Sequence, residues 1–168
     1  MKALAALSLL AALAGCALQP MYAGGGSGAV AQGLAAVEVA PIEGRAGWLV
    51  RNALRDRLAQ SGAAAAPRYR LDVLLDDELD GLGLLTDETV GRERRTLRAR
   101  YQLVDLATDT IVIDATAGSD AGIDVVSSEY ATIAAEQTAL ENLAKVVADQ
   151  IVTKISLELR SAGSAAGR

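Results

Sequence analysis

Residues 94–117 read RRTLRARYQLVDLATDTIVIDATA, and the fold follows from how their apolar positions recur. Leu97, Ala99, Tyr101 and Leu103 stand at every second place, with Arg98, Arg100 and Gln102 between them and Arg94 and Thr96 ahead. A period of two sends alternate side chains to opposite faces, so Arg94 to Asp105 predicts a strand with one buried and one wet face. The alternation resumes over Thr110 to Ala117, where Ile111, Ile113 and Ala115 take the buried side and Asp114 and Thr116 the outer one. Ala107-Thr108-Asp109 is short enough to join the two as a hairpin, which makes them antiparallel neighbours.

Outward from this hairpin the other elements declare themselves by their periods. Tyr69, Leu71, Val73 and Leu75 alternate with Arg70, Asp72 and Asp76, which predicts a further strand. Leu34 to Ile42 holds Val37 and Val39 around Glu38 and is ended by Pro41, a first strand. Between these two, Ala46 to Gln60 carries Val50, Leu54 and Leu58 at steps of four, an amphipathic helix that Ser61-Gly62 stops before a loop at Ala63 to Pro67. After a Gly/Ser/Asp loop from Gly118 to Ser128, Glu129 to Leu159 carries Ile133, Leu140, Leu143, Val147, Ile151 and Ile155 at helical spacing. At 1.5 Å per residue that helix reaches about 45 Å. Glu136, Glu141, Lys145, Asp149, Lys154 and Glu158 along it exclude a membrane span. The order predicts an α+β fold, two helices packed on one face of a mixed four-stranded sheet, with the first and second strands parallel across a crossover.

The N-terminus has a different character. Met1-Lys2 is cationic and Ala3 to Ala14 is apolar apart from Ser8, a stretch of roughly 12 residues where a spanning helix needs about 20. This is an export signal, and Leu13-Ala14-Gly15-Cys16 matches the lipobox of bacterial lipoproteins, in which the cysteine becomes the new N-terminus and carries a diacylglyceryl group. Two or more acyl chains, at about 0.8 kcal/mol per buried methylene, hold a protein stably on a bilayer. Ala17 follows the cysteine where an aspartate would direct inner-membrane retention, so the outer membrane is the expected destination. Gln19 to Gly33, with Pro20 and the run Gly24-Gly25-Gly26-Ser27-Gly28, reads as a flexible tether; it lacks the lysine and preceding strand of a phosphate loop. The expected organisation is therefore a signal peptide (1–15), a lipidated Cys16 with a glycine-rich linker (16–33), one α+β domain (34–160) and a disordered tail (161–168).

Composition narrows the function. The 168-residue chain has 51% hydrophobic but only 3% aromatic residues and no phenylalanine, so its core is built from aliphatic side chains. Cys16 is its one cysteine, so no intramolecular disulfide supports the fold. Loss of Lys2 with the signal takes the formal charge from -5 to -6, and nucleic acid is not an expected partner. With no histidine, its thiol spent on lipid and two lysines left after Lys2, the chain offers no recognisable catalytic constellation. We therefore expect no enzyme, no metal and no cofactor beyond the lipid on Cys16. Asp76-Asp77-Glu78-Leu79-Asp80-Gly81 has alternate acids like a calcium loop, but Asp87 stands where a bidentate glutamate is wanted; it reads as a solvated acidic hairpin end, with a turn at Gly81-Leu82-Gly83. Leu82, Leu84 and Leu85 follow, placed either to insert into a wall or lipid or to fold back on the core.

The third strand supplies the candidate site. Arg92, Arg94, Arg98 and Arg100 share one parity, with Arg95 opposite. Arginine pairs bidentately with phosphate. Arg98 and Arg100 are expected to be paired with Asp72, Asp76 or Asp114 on the flanking strands. Arg92, Arg94 and Arg95, nearer the strand end and with fewer evident partners, are the candidate ligand-binding residues.

CALQPMY (16–22) resembles the Cys-Gly-Phe-x-Pro-Leu-Tyr start of the lipopolysaccharide-assembly lipoprotein family LptE, and VEVAPIEGRAGWLVRNALRDRL (37–58) is similar to that family's strand-then-helix opening. Ala17 and Leu18 depart from the family's glycine and phenylalanine. The resemblance implies a non-enzymatic outer-membrane lipoprotein that plugs an LptD-like β-barrel from the periplasmic side or lumen and helps it assemble and deliver lipopolysaccharide to the outer leaflet. Lipopolysaccharide carries phosphates on its lipid anchor, so Arg92, Arg94 and Arg95 are the candidate contacts for it as a ligand. The alternative is an auxiliary lipoprotein of an envelope lipid-transport system. Trp48 on the first helix is expected in the core or, alternatively, against the barrel.

Overall fold

The computed structural model describes residues 28–60, 65–84 and 90–166. Cys16, the signal peptide, most of the linker and Leu85 lie outside the described residues. The elements run α1 (Ala29–Ala35), β1 (Val37–Val39), α2 (Gly44–Ala59), β2 (Tyr69–Leu84), β3 (Val90–Asp105), β4 (Thr110–Asp124) and α3 (Glu129–Ala166). The four strands form one sheet in the order β1-β2-β3-β4, with β1 parallel to β2 and the other pairs antiparallel. The fold is thus α+β on a mixed four-stranded sheet, with three helices among the described residues.

The alternation of β3 decides which face is covered. Leu97, Ala99, Tyr101 and Leu103 are all buried, and they share one core with Val50, Leu54 and Leu58 of α2 and Leu140, Leu143, Val147, Ile151 and Ile155 of α3. Each such leucine or isoleucine contributes about 1.5–3 kcal/mol by leaving water. Ser156 is fully buried in this layer, and its hydroxyl donates back to the Val152 carbonyl at 2.7 Å. Two glycines fix the entry to α2. Gly44 sits at φ +76, and a Cβ on Gly47 would lie 2.6 Å from the Ile42 carbonyl oxygen. Gly44 is required by its left-handed φ, and Gly47 by the close approach of the Ile42 backbone.

Several boundaries differ from the sequence expectations. Leu34 belongs to α1, a short helix over residues assigned partly to linker, and β1 is only Val37–Val39. Leu34 is fully buried and Gly33 abuts Leu159, so apolar contact with α3 orders this stretch despite its glycines. At the other end α3 runs on to Ala166, through part of the expected tail. β2 continues through Gly81 and Leu82, which pair with Glu93 and Arg92, so neither the acidic hairpin end nor the Gly81-Leu82-Gly83 turn forms there. β4 likewise extends to Asp124, through most of the expected loop. Backbone pairing to the long β3 outweighs the weak strand propensity of Gly, Ser and Asp. Ile111 was expected in the core and is exposed instead, because a register shift at Leu103/Val104 pairs Val104 with Ile111 and throws it out of phase. Ile133 is also largely exposed. Trp48 is 63% exposed, which removes it from the core.

Candidate functional site

The sheet face away from the core is built by parity. Once Leu97, Ala99, Tyr101 and Leu103 point inward, Arg92, Arg94, Arg98 and Arg100 must point outward, and all four are exposed. On β2 the residues opposite them share that face, including Asp72, Leu74, Asp76, Glu78 and Asp80. On β4 the same face carries Asp114, Asp120 and Asp124. A central line of arginine is thus flanked by a line of acids on each side, and the acids outnumber the arginines.

That balance sets the electrostatics. Arg100 donates to both carboxylate oxygens of Asp114 at 3.3 and 3.1 Å, and the Gln102 amide adds a third bond at 3.0 Å. Hydrogen bonds from Arg100, then Gln102, hold the Asp114 carboxyl below its ordinary range, and the same pair raises Arg100. Arg100 therefore pairs across the strands as expected. Arg98 does not: it lies opposite Asp76 and Gly118, yet it has no ion pair or hydrogen bond among the described residues.

The three candidates from the sequence also differ from expectation, since each has a partner. Arg92 faces Asp124 at 3.1 Å and Arg94 lies 3.8 Å from Asp120, both on the open face and both exposed. Arg95 has the opposite parity and turns toward the helices. Its guanidinium donates to both oxygens of Asp77 at 2.8 and 2.7 Å and to the Glu136 carbonyl of α3 at 3.3 Å. The bond to Asp77 raises the Arg95 pKa against the opposing effect of burial. Asp77 shares the parity of Tyr69, Leu71 and Leu75, so its position beneath the helices was present in the sequence. The acceptor on α3 was not, because a backbone carbonyl leaves no residue signal.

One further arrangement has no sequence signal. The Gln150 side chain of α3 accepts from the Gly118 N–H at 3.0 Å and donates to the Gly118 carbonyl at 3.2 Å. It supplies the edge of β4 with the two bonds a neighbouring strand would make.

Among the described residues no group of His, Cys, Asp or Glu is placed to hold a metal ion, and no helix is long and apolar enough to cross a membrane. The open face offers fixed charges and, among the described residues, one guanidinium without an ion pair or hydrogen bond, which suits binding.

The family model described as LptE, lipopolysaccharide-assembly, matches residues 34–155, from α1 through most of α3. The chain belongs to the LptE family. LptE members are non-enzymatic lipoproteins of the cell envelope, and this one has its role in lipopolysaccharide assembly. The fold agrees with solved structures. A lipoprotein from Caulobacter crescentus CB15 is similar at TM-score 0.66 and 25% identity, covering 80% of this chain and 97% of that one. A minor lipoprotein from Acinetobacter baumannii reaches TM-score 0.57 at 15% identity over 73% of this chain and 91% of that one. Lipoprotein B from Nitrosomonas europaea reaches 0.55 at 17% over 71% and 82%. No curated protein matches the chain.

Proposed function

We propose that this LptE-family chain is anchored in the outer membrane by acyl chains on Cys16 and works inside an LptD-like β-barrel, as a plug that helps the translocon assemble and pass lipopolysaccharide to the outer leaflet. It does so without catalysis and with no cofactor beyond its lipid. The family match carries this reading, and the open sheet face supports it. Strands of 15 and 16 residues, at about 3.3 Å each, make that face roughly 50 Å long. A charged face of this length suits a polar lumen, for it would be costly to bury against an apolar partner.

The lipopolysaccharide contacts in this proposal are Arg92, Arg94 and Arg98. Among the described residues Arg98 has no ion pair to break. Arg92 and Arg94 hold exposed ion pairs of the kind worth about 0–1 kcal/mol, so a phosphate with bidentate geometry competes for them at little cost. Arg95 is assigned to holding α3 on the sheet.

The test is lipopolysaccharide binding to the purified lipoprotein. Replacing Arg92, Arg94 and Arg98 together with glutamine is expected to weaken binding at least tenfold and to make the remainder insensitive to salt. Unchanged binding removes the open face from the account.

A further inference from the structure

At the opposite edge of the sheet from β4 lies a second feature, independent of the arginine face. A cleft of about 450 Å³ runs between α2 and the edge of β1 that no other described strand pairs; its lining includes Val37, Glu38, Val39, Arg51, Arg55 and Leu58, with Pro67 beside them. Its backbone has a definite state. The Ala36 carbonyl accepts from Arg68 and Tyr69 and the Ala40 N–H donates to the Leu71 carbonyl, so the even-numbered peptide groups of β1 face β2. In a strand the intervening residues face the other way, which aims the N–H and C=O groups of Val37 and Val39 into the cleft. The Val39 carbonyl confirms the direction, because the Arg51 guanidinium donates to it from the cleft side at 3.4 and 3.3 Å. These are long bonds, near the limit of useful geometry, and easily given up.

The walls match the edge. Leu58 and Pro67 are apolar, whereas Arg51 and Arg55, one helical turn apart on α2, supply two positive charges against the single carboxylate of Glu38, which also lines the cleft, so the site keeps a net positive charge. Arg55 is exposed and has no hydrogen-bond or ion-pair partner among the described residues. A strand edge beside a helix, with an apolar wall and cations at the rim, is the arrangement by which an extended peptide adds as an extra strand: backbone bonds supply affinity and the charge selects an acidic end.

We propose that this cleft binds an extended segment of a partner polypeptide, which pairs with β1 through Val37 and Val39 and places a carboxylate against Arg55 and Arg51. The short β1 limits the pairing to about three residues, so the carboxylate contributes a large part of the affinity.

The probe is a fluorescein-labelled hexapeptide of alternating valine and threonine ending in aspartate with a free C-terminus, titrated by anisotropy against the full-length lipoprotein in mild detergent. Saturable binding is expected, weakened at least tenfold by Arg55→Glu and, separately, by N-methylation of alternate peptide amides, and unaffected by Arg98→Gln. Arg55 is exposed and makes no hydrogen bond or ion pair among the described residues, so its variant should keep the wild-type circular dichroism spectrum. Absence of binding overturns the proposal. So does binding that responds to Arg55→Glu but not to N-methylation, since that is anion capture without strand pairing, or binding that responds to neither.

Discussion

Arg95→Gln separates a residue that holds the fold from one that holds a ligand. The Arg95 and Asp77 side chains are only 16% and 23% exposed, and the guanidinium joins three elements through Asp77 on β2 and the Glu136 carbonyl on α3. Removing one partner of a fully buried pair costs about 3–5 kcal/mol, and breaking an exposed pair about 0–1. This pair lies between those limits, and glutamine keeps part of the bonding, so we expect a loss of about 2 kcal/mol. For a chain of this size each kcal/mol moves the midpoint by about 2–4 °C, which gives a fall in Tm of about 4–8 °C. Urea and thermal unfolding measure it directly, with Arg100→Gln as the exposed control, expected to stay near wild type. Lipopolysaccharide affinity of folded Arg95→Gln should be unchanged. A loss under about 0.5 kcal/mol together with weakened lipopolysaccharide binding would refute the reasoning, for it would return Arg95 to the ligand side.

Other consequences follow from single positions. Gly47→Ala, which in an ordinary helix interior would stabilise by about 1 kcal/mol, is expected to destabilise by about 1–3 kcal/mol because its Cβ would meet the Ile42 carbonyl; chemical denaturation reads the sign. Gln150→Ala removes both bonds to Gly118, with an expected cost of about 1 kcal/mol and concentration-dependent self-association through the bared β4 edge, visible by light scattering; a monomeric variant at all concentrations would deny the edge-covering role. Asp114 has its folded pKa held below the unfolded value, so what it contributes to stability is complete above the ordinary carboxylate range of about 4 and is lost as pH falls through the depressed value. In Arg100→Gln the Asp114 titration, followed by carboxyl-carbon NMR, should move upward.

The periodicities made the sheet legible. A period of two in β3 put Leu97 and Tyr101 inside and Arg98 and Arg100 outside, and steps of four in α2 put Val50, Leu54 and Leu58 in the core, as the structure has them. Strand ends were not legible, because Gly81 and Gly118 read locally as turns and only pairing with β3 keeps them extended. The register shift that exposes Ile111 lies in the relation between two strands and in neither strand alone. For the site, parity correctly grouped the arginines, and it placed Arg95 on the other face. Counting partners from sequence fails: Asp120 and Asp124 read locally as loop residues, which leaves Arg92 and Arg94 without visible partners, whereas among the described residues of β3 it is Arg98, with an aspartate directly opposite, that lacks an ion pair.

The proposal stands or falls on whether this LptE-family lipoprotein works within a barrel. The measurement that tests it most directly is a mild-detergent pull-down of the full-length lipoprotein from its own outer membranes, with mass spectrometry and quantitation of what accompanies it. The account predicts a large LptD-like β-barrel at equal stoichiometry. Recovery of periplasmic lipid-transport subunits in its place, or of the lipoprotein alone, would contradict it.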